Sequence, residues 1–138
     1  AGGENPYQIQ YDLQDMMQDL VGIVRNEAEM LRALDGIKKL KQRAENVSVS
    51  GNVEFNPGWH TALDLGNLLT VSEAVTISAI ERKESRGAQF REDFPEKNAE
   101  YGKFNIIVRK DENGEMRISR EPISEMDAEL KQIIEEMG

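Results

Sequence analysis

The chain has 138 residues, 38% apolar and 31% charged, which suffices for one domain with a buried core, or a small domain with an appendage. Its net charge of −9 argues against a nucleic-acid partner, which needs Lys and Arg to neutralise phosphate, and against direct contact with an anionic membrane surface. The absence of cysteine excludes disulfides, thiolate metal sites, iron–sulfur ligation through thiolates and cysteine nucleophiles.

Asn5-Pro6-Tyr7-Gln8 predicts a helix start, with Asn5 as cap, Pro6 in the first position and Gln8 where a capping box places it. Ile9, Leu13, Met16, Met17, Leu20, Val21 and Val24 follow at helical spacing, so this first helix is expected to end between Gly22 and Arg25. Asn26 can cap a second helix whose first turn carries Glu27 and Glu29 and whose C-terminal half carries Lys38, Lys39, Lys41 and Arg43, as the helix dipole favours. Its expected buried stripe is Leu31, Leu34, Ile37, Leu40, Ala44 and Val47, and Gly36 weakens it slightly.

Ser48 to Gly58 reads as a polar connector, and a third helix is expected from about Trp59 to Ser85. Leu65, Leu68, Leu69, Ser72, Val75, Ile77, Ala79 and Ile80 supply its apolar faces, and the small residues Gly66, Ala74, Ser78 and Ala79 allow close helix approach. Gly87 lies where a C-terminal glycine belongs. No apolar run comes near the roughly 20 residues of a membrane helix, and no signal-peptide pattern is visible, so no membrane insertion is expected.

Beyond Pro95 the pattern changes. Phe104 to Arg109 and Met116 to Ser119 have strand composition, joined by Asp111-Glu112-Asn113-Gly114 with its Asn-Gly hairpin signal. Ser124-Glu125-Met126-Asp127 then caps a short helix carrying Leu130, Ile133 and Ile134. The expected fold is mainly α: an antiparallel, spectrin-repeat-like three-helix bundle over 1–88, then an extended arm, a small β-hairpin and a short C-terminal helix over 89–138.

Catalytic candidates are few. His60, the single histidine, sits near a helix start and lacks the partners of a metal site. The acidic stretch from Asp111 to Glu115 lacks the ligand spacing of a calcium loop and reads as a turn. Met16-Met17 reads as core, and no Ser/His/Asp set stands out. The run from Arg82 to Pro95 is different, because it combines charges of both signs with Phe90, Phe94 and Pro95. Its physics allows two readings: a helix C-terminus with solvated charges, or an arm lying against another protein surface, with Arg86 and Arg91 offering planar forks to carboxylates or carbonyls.

Arg82, Glu84, Ser85, Arg86, Gly87, Ala88, Arg91, Asp93 and Pro95 match the R-x-E-S-R-G-A-H-x-R-x-D-x-P signature, so the run resembles the flavoprotein subunits of succinate dehydrogenase and fumarate reductase. L-Aspartate oxidase is similar but more distant. Met17 to Met30, including Arg25, resembles the family's M-Q-x-x-x-x-x-x-R-x-x-x-x-M stretch, and Leu63 to Leu69 its L-x-L-x-N-L-L segment. The chain departs from the pattern at Gln89, where the family usually has a histidine able to titrate, and at Asn98, where an acidic residue is common.

The resemblance implies a C-terminal helical domain of an FAD enzyme interconverting succinate and fumarate. It places the FAD and dicarboxylate sites upstream of this chain, so no catalytic, cofactor or metal residue is expected here. The motif residues Arg82, Glu84, Ser85, Arg86, Gln89, Arg91 and Asp93 are expected at an interface. The implied partners are the FAD-binding domain of the same subunit, an iron–sulfur subunit and a membrane anchor on the cytoplasmic face. A stand-alone helical interaction module is the alternative, or the same domain of an L-aspartate oxidase.

Overall fold

Helix α1 (Pro6–Leu20) begins where Asn5 accepts the Tyr7 N–H at 2.9 Å and Pro6 enters the first turn. The computed structural model describes residues 2–137, so the outer ends of the two expected segments, residues 1 and 138, lie outside it. Helix α1 stops at Leu20, earlier than the periodicity suggests, because Val24–Arg25 form strand β1, paired in parallel with β2 (Phe90–Arg91). Helix α2 (Glu27–Ala44) starts at the expected cap, with the Asn26 side chain accepting the Glu29 N–H at 2.9 Å.

The buried face of α2 is Met30, Ala33, Ile37 and Leu40, and Leu31, expected inside, is 53% exposed. Met30 and Ala33 join Val21 and Ala79 in one cluster, which turns the helix away from the Leu31 side. The larger cluster comprises Ile9, Leu13, Ile37, Leu40, Leu65 and Leu69, with Met16, Met17, Ala44 and Val47 against it. Fully burying each of its large side chains contributes about 1.5–3 kcal/mol. Gly36 has a packing role that its low helix propensity conceals, since a Cβ there would collide with the Met16 sulfur.

Helix α3 (Pro57–Glu81) starts before Trp59 because Asn56 caps it, accepting the Gly58 N–H at 3.1 Å while donating to the Ser50 and Asn52 carbonyls. It packs on both α1 and α2 to complete the three-helix bundle. Thr76 is buried without cost in lost hydrogen bonding, because its hydroxyl donates to the Ser72 carbonyl at 2.7 Å. Leu68 and Val75, expected in the core, are 37% and 43% exposed, and Gly66 faces open space. Contrary to expectation, α3 is long and apolar enough to meet the length and composition needs of a membrane span; Asp64 and Glu73 mask this in the sequence.

Beyond the arm, β3 (Phe104–Lys110) and β4 (Met116–Pro122) form an antiparallel hairpin with Phe104 opposite Pro122 and Lys110 opposite Met116. Its turn is held by Asp111, whose carboxylate accepts the Asn113 and Glu115 N–H groups, and by Gly114 at φ +83°. A hairpin alone is marginal in water. This one rests on α3, where Arg120 pairs with Glu81 at 2.7 Å and lies over the Phe104 and Tyr101 rings. Helix α4 (Ala128–Met137) is capped by Asp127, the last residue of the expected capping stretch, and buries none of its residues.

Candidate functional site

The last carbonyls of any helix lack partners within it. At the end of α3 they are taken by a residue from the arm. The Arg91 side chain is completely buried, and its Nη1 donates to the carbonyls of Ala79 (2.8 Å), Ile80 (3.2 Å) and Arg82 (3.3 Å). Its Nε and Nη2 donate to both oxygens of Asp93, at 2.7 and 2.6 Å. Asp93 in turn accepts the Glu27 N–H at 3.0 Å. One bidentate pair therefore places a cation at the negative end of α3 and an anion at the positive end of α2. The hydrogen bonds from Arg91 hold the Asp93 carboxyl below its ordinary pKa, against the opposing effect of burial.

A second charge cluster sits beside the first. Glu84 is also completely buried; its Oε1 accepts from Arg82 Nη1 and Arg86 Nε, both at 2.7 Å, and its Oε2 from the Asn98 N–H at 2.8 Å. Burial pushes its pKa up, but donation from Arg86, the Asn98 backbone and Arg82 outweighs this and brings it down to about 2. Arg82 also donates to the Tyr101 carbonyl, and Arg86 to the Asn98 carbonyl, so the cluster fastens the following chain segment.

Between the clusters the backbone turns sharply. Arg86 and Gln89 exchange N–H···O bonds of 3.0 and 3.2 Å across Gly87 and Ala88. Gly87 has φ +61°, so this glycine serves the turn and not the helix cap expected for it. Helix α3 has already ended at Glu81, short of Ser85, because Arg82 is extended and the turn needs the residues that follow. Ser85 receives the Arg91 N–H at 2.8 Å and donates to the Phe94 carbonyl at 2.9 Å. Gln89 Nε2 donates to the carbonyls of Arg82 and Glu84, while its Oε1 accepts Arg25 Nη1 at 2.9 Å.

All the expected motif residues thus meet in one knot. Of the two readings of the run, solvated charges do not hold for Glu84 and Arg91, which are dry, while the Arg86 side chain keeps 39% of its surface exposed. Reading residues one by one missed Arg25, which hydrogen-bonds to Gln89 and to the Gly22 carbonyl and pairs with no carboxylate among the described residues. Burial, with a smaller contribution from the Arg91 charge, lowers its pKa. Its place in the M-Q-x-x-x-x-x-x-R stretch was the signal available. His60 lies exposed in the first turn of α3, away from the knot.

Among the described residues no dinucleotide cradle for FAD is formed. A dinucleotide cradle needs a strand running through a glycine-rich turn into a helix whose N-terminus meets pyrophosphate. Strand β1 does lead into α2, but through Asn26 alone, and the Asp93 carboxylate already holds the Glu27 N–H there.

The model for the fumarate reductase flavoprotein C-terminus matches residues 10–133. The chain belongs to this family. Within it, a fumarate reductase flavoprotein subunit of Haemophilus influenzae is 36% identical over 88% of the chain, and an uncharacterised FAD-dependent oxidoreductase of Methanocaldococcus jannaschii is 40% identical over 78%. The Sdh1 structure of Mycobacterium smegmatis in complex with UQ1 superposes with a TM-score of 0.81, at 41% identity over 91% of the chain and 21% of that structure. The chain spans only 20% and 19% of the two curated relatives, so it corresponds to the C-terminal domain of a much longer flavoprotein subunit.

Proposed function

We propose that this domain completes an FAD-dependent subunit that interconverts succinate and fumarate, with hydride transfer at a flavin held by another part of the same polypeptide. The observation that carries the reading is the family match over residues 10–133, which contains the whole charged knot. The bundle, 1–88, and the arm, hairpin and helix of 89–138 then act as one structural unit. Arg82, Glu84, Ser85, Arg86, Gln89, Arg91 and Asp93 fix its shape where it meets the FAD-binding domain. An iron–sulfur subunit exchanges electrons with the flavin, and a membrane anchor holds the complex on the cytoplasmic face.

The reading is tested by comparing the 138-residue chain with the product of the full reading frame. The longer protein is expected to bind FAD and to couple succinate oxidation or fumarate reduction to a redox dye, whereas the 138-residue chain is expected to be colourless and inactive. Stoichiometric flavin on the 138-residue chain would overturn it. A reading frame with no flavin domain would favour the stand-alone interaction module.

A further inference from the structure

A helix that is apolar all round needs cover on all sides. Over the most apolar part of α3 only 22% of the residues are buried. Val71 and Val75 stand 61% and 43% exposed on the side turned away from α1 and α2, and with Ala74 and Ile106 of β3 they line an open groove. Arg25 and Gln89 line the same groove. Arg25 is half-buried, yet among the described residues its side chain has only carbonyl and amide oxygens as partners. A desolvated guanidinium retains donors that favour a carboxylate or another carbonyl. The groove thus combines an apolar floor with an uncompensated cation.

We infer that this groove, floored by Val71, Val75 and Ile106 and bordered by Arg25, is where the flavin-binding part of the same polypeptide docks, through an apolar ridge and an acceptor group that meets Arg25. This inference rests on the reading above and specifies which face that reading uses. The occupant follows from length and charge. Relatives of this chain carry about four-fifths of their length outside the matching region, tethered to it and present at high effective concentration. The cation calls for an acceptor at a defined point, which a bilayer interior does not offer. The chain's net charge of −9 also opposes an anionic lipid surface.

Hydroxyl-radical footprinting of the full-length flavoprotein and of the 138-residue chain tests the inference directly. Labelling of Val71 and Val75 is expected to fall about tenfold in the longer protein, as for side chains sealed in an interface core. The V71K/V75K variant of the full-length protein is expected to be nicked between its two parts about tenfold faster by protease. The same variant of the 138-residue chain should keep its melting temperature, because both valines are exposed there. R25L in the full-length protein should increase nicking, with rescue by R25K only partial. Equal labelling in a protein that holds flavin overturns the docking face and leaves the family reading standing. A full-length product without flavin overturns both. Protection of the valines by phosphatidylcholine vesicles but not by the rest of the polypeptide assigns the face to lipid and overturns the inference.

Discussion

At the scale of single residues, Arg91 is the side chain with most at stake. It is dry, bidentate with Asp93, and the shared donor for the last carbonyls of α3. Removing one partner of a buried pair leaves the other charge unpaired and costs about 3–5 kcal/mol. Arg91→Leu leaves behind a carboxylate whose side chain is 28% exposed and strips the α3 carbonyls of their donor. It is therefore expected to lower unfolding free energy in urea by less, about 1–3 kcal/mol, and Arg91→Lys to recover little, because a lysine cannot serve the carboxylate and the carbonyls together. Glu84 gives a test in pH. Its folded pKa, about 2, lies below its ordinary 4.5, so its stabilising contribution is complete above about 4.5 and is lost as pH falls towards about 2. Asp93 and Asp12 are depressed as well, by Arg91 and Arg43 respectively, and act in the same direction. Acid titration monitored by circular dichroism should show this loss, and Glu84→Gln should start less stable but give a flatter profile in that window.

At the scale of elements, the starts of α1 and α2 were legible because asparagine caps act locally: Asn5 and Asn26 each accept an N–H within the next three residues, whereas Asn56, read as part of the connector, starts α3 two residues earlier than expected. The hairpin was legible for the same reason at Asp111 to Gly114. The rotation of α2 was not. Leu31 and Met30 are similarly apolar, and it is packing against Val21 and Ala79 of the neighbouring segments that draws Met30 inward. Nor could the sequence reveal that Arg91 closes α3 or that Asp93 meets α2, since Asp93 and Glu27 are 66 positions apart. Two predictions belong here. Asn26→Ala should cost about 1 kcal/mol in thermal unfolding. Arg120→Ala removes the Glu81 pair and the stacking on Phe104, and should raise amide exchange in β3 and β4 more than in the bundle.

At the scale of the whole molecule, the charged signature belongs to the scaffold. It closes the end of α3, braces the start of α2 and directs the arm towards the hairpin, while the groove beside it faces outward with Arg25 at its border. The family could be read from motif order and the bundle from helical periodicity; the dry interior of the knot could not, because burial depends on contacts across the whole chain.

Gln89 sets how the knot responds to acidity. Its amide donates hydrogen bonds to the Arg82 and Glu84 carbonyls and accepts one from Arg25, and the amide itself does not titrate. A neutral imidazole can donate through one nitrogen and accept through the other, but its protonated form is a donor on both and would oppose Arg25. Neighbouring cations would depress the folded pKa of such an imidazole, so its contribution would be present above the unfolded value near 6.5 and lost below it. A Gln89→His chain should accordingly lose stability between about pH 7 and 5, where the present chain stays level. Glutamine confines the sensitivity of this joint to strong acid and leaves it indifferent to the proton traffic of neutral solution.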